Sequence, residues 1–180
     1  MKNQRQVSAF IGSRALMIGD PDAPVLLTEF GDYESVACAQ ANEIINQLLI
    51  TYAGKIKYTF RHFPLMKIHQ HAHKAAEAAI AAAQEGKFWE MHQILFQNRR
   101  NLGLISLKSY AKEIGVKNKN FLNDLINGVY AWNVQDDLKD GIDAGVREVP
   151  TFFFNGEKWD QEPTLENFNS KILLLLNHSG

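Results

Sequence analysis

One cysteine, Cys38, stands in the run Ser35-Val36-Ala37-Cys38, and it is the only thiol in the chain. A thiolate is a strong nucleophile and a metal ligand, but a single cysteine excludes an intramolecular disulfide and a zinc site built on cysteines. Three readings of Cys38 stand side by side: a buried small hydrophobe, a slow monothiol, or a target of regulatory oxidation. Ser35 is of the residue type that caps a helix, and its hydroxyl becomes a nucleophile only beside a general base. If a helix starts after Ser35, Cys38 lies in its first turn, where the helix dipole favours a thiolate and shielding by neighbours opposes reaction. Glu29 and Asp32 precede the helix and could accept protons; a solvated or hydrogen-bonded carboxylate is the plainer reading of each. His69, His71 and His73 alternate along the chain. On a helix His69 and His73 would share a face and His71 would not. With no acidic or cysteine partner taken to stand at ligand spacing, a role at a helix start is expected and no metal site is assigned.

The elements that must position these residues can be read from periodicity and turn residues. Val25 to Phe30 is a short apolar run suited to a buried strand, and Asp20-Pro21-Asp22-Ala23-Pro24 before it is turn material. From Val36 to about Tyr52 the apolar positions Ala37, Ala41, Ile44, Ile45, Leu48 and Leu49 follow a helical period, and Gly54 supplies a stop. Ile56 to Phe63 alternates as a strand does and ends at Pro64. Strand, helix and strand in this order imply a parallel pair with a right-handed crossover. The stretch from His71 to about Asn98 is predicted helical with a break at Gly86, followed by helices over 106–114, 119–126 and 130–145, the last weakened by Gly141. Strand character returns at Pro150 to Phe154, Asn155-Gly156 is a tight-turn dipeptide, and Leu165 to His178 closes as an amphipathic helix. The expected fold class is α/β: one domain of residues 1–180 with a central sheet of about four strands. A helical insertion at about 66–146 is expected, because the strands on both sides of it must share one sheet. Phe88 and Trp89 are expected in the core.

The chain has 180 residues, of which 46% are hydrophobic and 22% charged, and a formal net charge of −1. This is enough apolar material for a core, and it gives no global attraction to nucleic acid or to an anionic membrane. The basic residues are scattered rather than striped, so a nucleic-acid partner is not expected. No apolar run approaches the ~18 residues of a membrane span. The N-terminal residues Met1 to Gln6 begin basic, and Val7 to Ile18 is interrupted by Ser8, Gly12, Ser13 and Arg14. The resulting expectation is a cytoplasmic protein, with a trimmed exported form as the alternative.

Several segments together resemble one family. Gly19 to Val25 with Glu29-Phe30-Gly31-Asp32-Tyr33, Phe60 to Leu65 with His69-Gln70-His71-Ala72, Gly86 to His92, and Val149-Pro150-Thr151-Phe152-Phe153-Phe154-Asn155-Gly156 resemble the DsbA-like thiol:disulfide oxidoreductases of the thioredoxin superfamily. The match runs over roughly residues 19–178, and its specificity lies in the combination. The resemblance implies a thioredoxin-like fold, a reactive segment at residues 35–38, and a cis-proline at Pro150 that leaves the Val149 backbone facing substrate. The family carries Cys-x-x-Cys where this chain has Ser35-Val36-Ala37-Cys38, so the attacking position is serine and only the resolving position is a thiol. An introduced cysteine-to-serine change would leave the same four residues.

The resemblance therefore implies Ser35 and Cys38 as the catalytic positions and Val149, Pro150 and Tyr33 as substrate-binding positions, with Phe63 as a second apolar wall beside Tyr33. It also implies impaired dithiol chemistry. Serine at this place is similar to that of kappa-class glutathione transferases, where it faces a bound thiolate. The expected partner is a thiol-containing protein or peptide, or glutathione as a co-substrate, with no resident cofactor. The alternatives are a non-catalytic peptide-binding module and a glutathione-dependent transferase or isomerase.

Overall fold

The structure, a computed structural model, describes residues 10–178. The basic segment Met1 to Gln6 lies outside them. After a short 3-10 turn at Ser13–Ala15 the elements run β1 (Ile18–Gly19), β2 (Val25–Gly31), α1 (Val36–Thr51) and β3 (Ile56–His62). Five helices follow: α2 (Ala72–Ala83), α3 (Phe88–Gln97), α4 (Leu104–Glu113), α5 (Phe121–Ile126) and α6 (Ala131–Asp143). The chain then returns to β4 (Thr151–Phe154), β5 (Glu157–Trp159) and α7 (Leu165–His178).

The sheet is mixed, with strand order β1-β3-β2-β4-β5. β2 and β3 are parallel from Val25↔Ile56 to Gly31↔His62, and β4 lies antiparallel to β2 with Leu27 opposite Phe154. Among the described residues the sheet has five strands where about four were expected. The extra one, β1, is two residues long and pairs only with the outer edge of β3, too short to show a period of its own. Asn155 and Gly156 both have positive φ, as a tight hairpin turn between β4 and β5 requires.

Central strands are buried on both faces, which is why β2 reads as an almost unbroken apolar run. Val25, Leu27, Ile56, Tyr58, Phe60, Phe152 and Phe154 point to one side, into the main core with Ile45 and Leu48 of α1 and Phe168 and Ile172 of α7. Phe30 and Phe153 alternate to the other side and meet Phe63 and Val146 in a smaller cluster. α6 packs against β3 on this side. Gly141 is what permits it: a Cβ there would lie 2.7 Å from the Phe63 ring and 3.0 Å from Phe30. The glycine that weakens α6 by propensity is a contact point of the fold.

Charge also ties α6 to β3. Asp137, 2% exposed, accepts from the His62 backbone N–H at 2.9 Å and from Arg61 Nε at 2.6 Å. Burial alone would raise its pKa, but the hydrogen bond to His62 and the charges of His62 and Arg61 hold it below the ordinary range. Helix starts shift slightly from expectation: α4 begins at Leu104 and α5 at Phe121, since neither start has a side-chain cap to mark it.

Candidate functional site

Ser35 has extended backbone and its Oγ accepts the Cys38 backbone N–H at 3.2 Å, capping α1. This one bond fixes both sequence-predicted catalytic residues at the first turn of a 16-residue helix. Their environments differ. Ser35, itself only 8% exposed, borders an open cleft of about 620 Å³, whereas Cys38 has no exposed surface. Burial drives the Cys38 thiol pKa well above its ordinary value, and the nearby Glu29 acts in the same direction; a hydrogen bond from Ser35 opposes both and is outweighed. Reactivity needs the thiolate, and both the burial of Cys38 and its raised pKa oppose forming it.

The loop that leads into α1 is held by Asp32, which is 1% exposed. Its carboxylate accepts the Glu34 N–H at 2.7 Å and the Leu65 N–H at 2.8 Å, and its Oδ2 lies 2.8 Å from His69 Nδ1. Facing a buried carboxylate, that ring nitrogen carries a proton. Glu34 in turn accepts the His71 N–H at 2.8 Å. Asp32 and Glu34 thereby fasten the segment after β3 against the start of α1, and Leu65, Ile68 and His69 become one side of the cleft. Arg99 and Arg100, just past α3, form another side, and Val149 closes it. The Val149–Pro150 peptide bond is cis, and among the described residues neither the N–H nor the C=O of Val149 pairs with another backbone group.

Several expected positions are corrected. Tyr33 does not reach the cleft: it is 1% exposed, and its hydroxyl bonds His92 Nδ1 at 3.1 Å inside the core. An aromatic ring next to Asp32 is drawn inward because the strand end turns it onto Phe60 and Phe96. Phe63 is likewise buried with Phe30 rather than walling the groove. Of the two readings of Glu29, solvated or hydrogen-bonded, the structure shows the hydrogen-bonded one. The residue is fully buried, accepts from the Tyr58 hydroxyl at 2.7 Å, and leaves Oε1 without a partner. Burial raises its pKa to about 8, against the stabilising bond from Tyr58. The three alternating histidines separate: His69 joins Asp32, while His73 has an acidic neighbour after all, Glu77 at 3.0 Å. Among the described residues no three His, Cys, Asp or Glu side chains are grouped to hold a metal ion.

The cleft residues that sequence reasoning missed are Leu65, Ile68, His69, Arg99 and Arg100. The adjacent arginines in a polar loop were the one visible signal. Nothing local to them pointed to Ser35.

No helix among the described residues is long and apolar enough to cross a membrane. The model of the family described as Thioredoxin matches residues 13–173. Among curated proteins the chain is similar to the Na(+)/H(+) antiporter NhaA 3 of Salinispora tropica, 33% identical over 86% of this chain and 24% of that protein. It is also similar to NhaA 1 of Mycobacterium sp. (strain KMS), 37% identical over 79% of this chain and again 24% of the relative. The chain thus spans about a quarter of the length of these relatives.

Among solved structures it superposes on BdbD from Bacillus subtilis with a TM-score of 0.82 at 22% identity, covering 89% of this chain and 92% of that one. It superposes on alpha-DsbA1 from Wolbachia pipientis with a TM-score of 0.76 at 23% identity, covering 90% of each. The chain belongs to the thioredoxin family and carries its DsbA-like fold.

Proposed function

We propose that this protein handles thiols supplied by a partner rather than by a dithiol of its own. A thiol-containing protein or peptide, or glutathione as co-substrate, docks in the cleft with its sulfur at the start of α1. The observation that carries this reading is the contrast between Ser35 and Cys38: the serine lines the cleft, and the only thiol lies buried one turn behind it. A sulfur at the cleft meets the free N–H groups and dipole of the α1 N-terminus, which lower the pKa of an incoming thiol, and the Ser35 hydroxyl is a further donor. With glutathione, the bound thiolate attacks a substrate disulfide, one S–S bond breaks as the mixed disulfide forms, and the displaced sulfur leaves as thiolate. Such a reaction belongs in a reducing compartment such as the cytoplasm. The antiport activity in the names of the curated relatives is theirs and forms no part of this reading.

The complete burial of Cys38 favours a second reading, a non-catalytic module that binds peptides along Val149. Insulin reduction separates the two. The protein alone is expected to be inactive, with activity appearing on addition of glutathione and rising further in Ser35→Cys. Reduction by the unmodified protein without added thiol, at the rate of Ser35→Cys, would overturn both readings. Binding of a cysteine peptide without any stimulation by glutathione would leave the module.

A further inference from the structure

We propose that Arg99 and Arg100 make the cleft selective for an extended polypeptide segment that carries acidic side chains beside its thiol. This rests on the cleft being the docking site argued above. The described arginines fall into two groups. Arg14 bonds Asp140, Arg61 bonds Asp137 and Asp140, and Arg147 donates to the carbonyls of Ile142 and Val146. Arg99 and Arg100 alone among them have no side-chain hydrogen bond or ion pair with another described residue, and they are the two that line the cleft.

Two arginines stand in the lining against one carboxylate, Glu34, whose hydrogen bond from the His71 N–H leaves its charge in place. Asp32 lies buried under three donors. Glu148, next to Val149, is exposed and does not line the cleft. The N-terminus of α1 adds positive potential to the same hollow. With a chain net charge of −1, this local excess is a feature of the site and not of the protein's overall balance.

Arginine is suited to this task, since its planar fork binds carboxylates in bidentate geometry. The rest of the lining points to a polypeptide rather than a small anion. Val36 is 52% exposed and Ile68 70% exposed, so apolar side chains stand open beside the cations. The unpaired backbone of Val149 supplies the N–H and C=O with which an extended chain could pair. A segment with an apolar residue, a cysteine and then acidic residues meets each of these features.

The test uses the whole protein and three short peptides, each with one cysteine preceded by leucine. The cysteine is followed by two aspartates, two asparagines or two lysines. Backbone amide shifts follow binding. The aspartate peptide is expected to bind about tenfold tighter than the asparagine peptide at low salt, and the lysine peptide more weakly than either. Shifts are expected at Ser35–Ala37, Leu65–His69 and Val149. Arg99→Gln/Arg100→Gln should equalise the aspartate and asparagine peptides, and Arg99→Glu/Arg100→Glu should invert the order. An unchanged amide spectrum away from the substitutions shows that each variant is folded. Equal affinities in the unmodified protein, or a preference that survives Arg99→Gln/Arg100→Gln, would overturn the role of the arginines and leave the cleft standing. Failure of all three peptides to shift the cleft amides would overturn the cleft itself, and the inference with it.

Discussion

His69 Nδ1 lies 2.8 Å from Asp32 Oδ2, joining the segment after β3 to the loop that opens α1. Asp32 serves two further donors, the backbone N–H groups of Glu34 and Leu65, so one buried carboxylate organises both sides of the cleft that Ser35 lines. The two partners of this contact should therefore differ in what they cost. Asp32→Ala leaves two backbone donors and a histidine without their acceptor and is expected to lose about 3 kcal/mol. His69→Ala removes a partly exposed ring and is expected to lose about 1 kcal/mol or less. Urea denaturation measures both; equal losses would mean that Asp32 acts only through His69.

Cys38 should behave as a core residue. Iodoacetamide at pH 8 is expected to label the folded protein at least about 100-fold more slowly than the urea-unfolded chain, because the thiol is both inaccessible and held protonated. Mass spectrometry over time gives the ratio. Rapid labelling without unfolding would refute the burial of this thiol.

Stability should bend with pH in two directions from two buried groups. Glu29 keeps its proton up to about 8 in the fold but ionises near 4.5 when unfolded, so the folded state binds more protons between these values. Stability from this group is full below pH 4.5 and falls as pH rises toward 8, by several kcal/mol in all, on the order of 3–5. Burial, helped by the charge of His62, lowers His92 to about 3 from an ordinary 6.5, so here the unfolded chain binds more protons and stability falls as pH drops from 6.5 to 3. Glu29→Gln should flatten the alkaline limb and His92→Gln the acid limb. Denaturant titrations of each variant against the unmodified protein from pH 3 to 9 isolate the two contributions. A difference curve without slope would show that the group is solvated.

Gly141→Ala sets helix propensity against packing. Alanine gains about 1 kcal/mol in a helix interior, but its Cβ would stand 2.7 Å from the Phe63 ring, where α6 closes on β3. Net destabilisation of about 1–3 kcal/mol is expected by thermal denaturation, with the Phe63→Leu background recovering part of it. A stabilised Gly141→Ala would show that α6 can shift freely.

What the sequence determined by itself is what neighbours in the chain decide. Ser35 caps α1 because an oxygen two bonds from its own backbone reaches the N–H three residues on. Asn155-Gly156 turns because both residues accept positive φ, and β2 reads as a buried strand because the apolar run Val25-Leu26-Leu27 is short and follows turn residues. The order of these pieces was enough to place the chain in its fold class. Tertiary structure alone decided what the site contains. Tyr33 and Ser35 sit two residues apart, yet one is sealed in the core and the other lines the cleft, because the packing of Phe60 and Phe96 claims the ring. His69 meets an acid 37 positions earlier in the chain, and Arg99 and Arg100 share a cleft with Ser35 because α3 packs against α1. Gly141 looked like a flaw in a helix until Phe63 lay against it. Hydrogen bonds and turn preferences act over a few residues and are written locally, whereas burial, ion pairing and the choice of cleft residues depend on which distant surfaces meet.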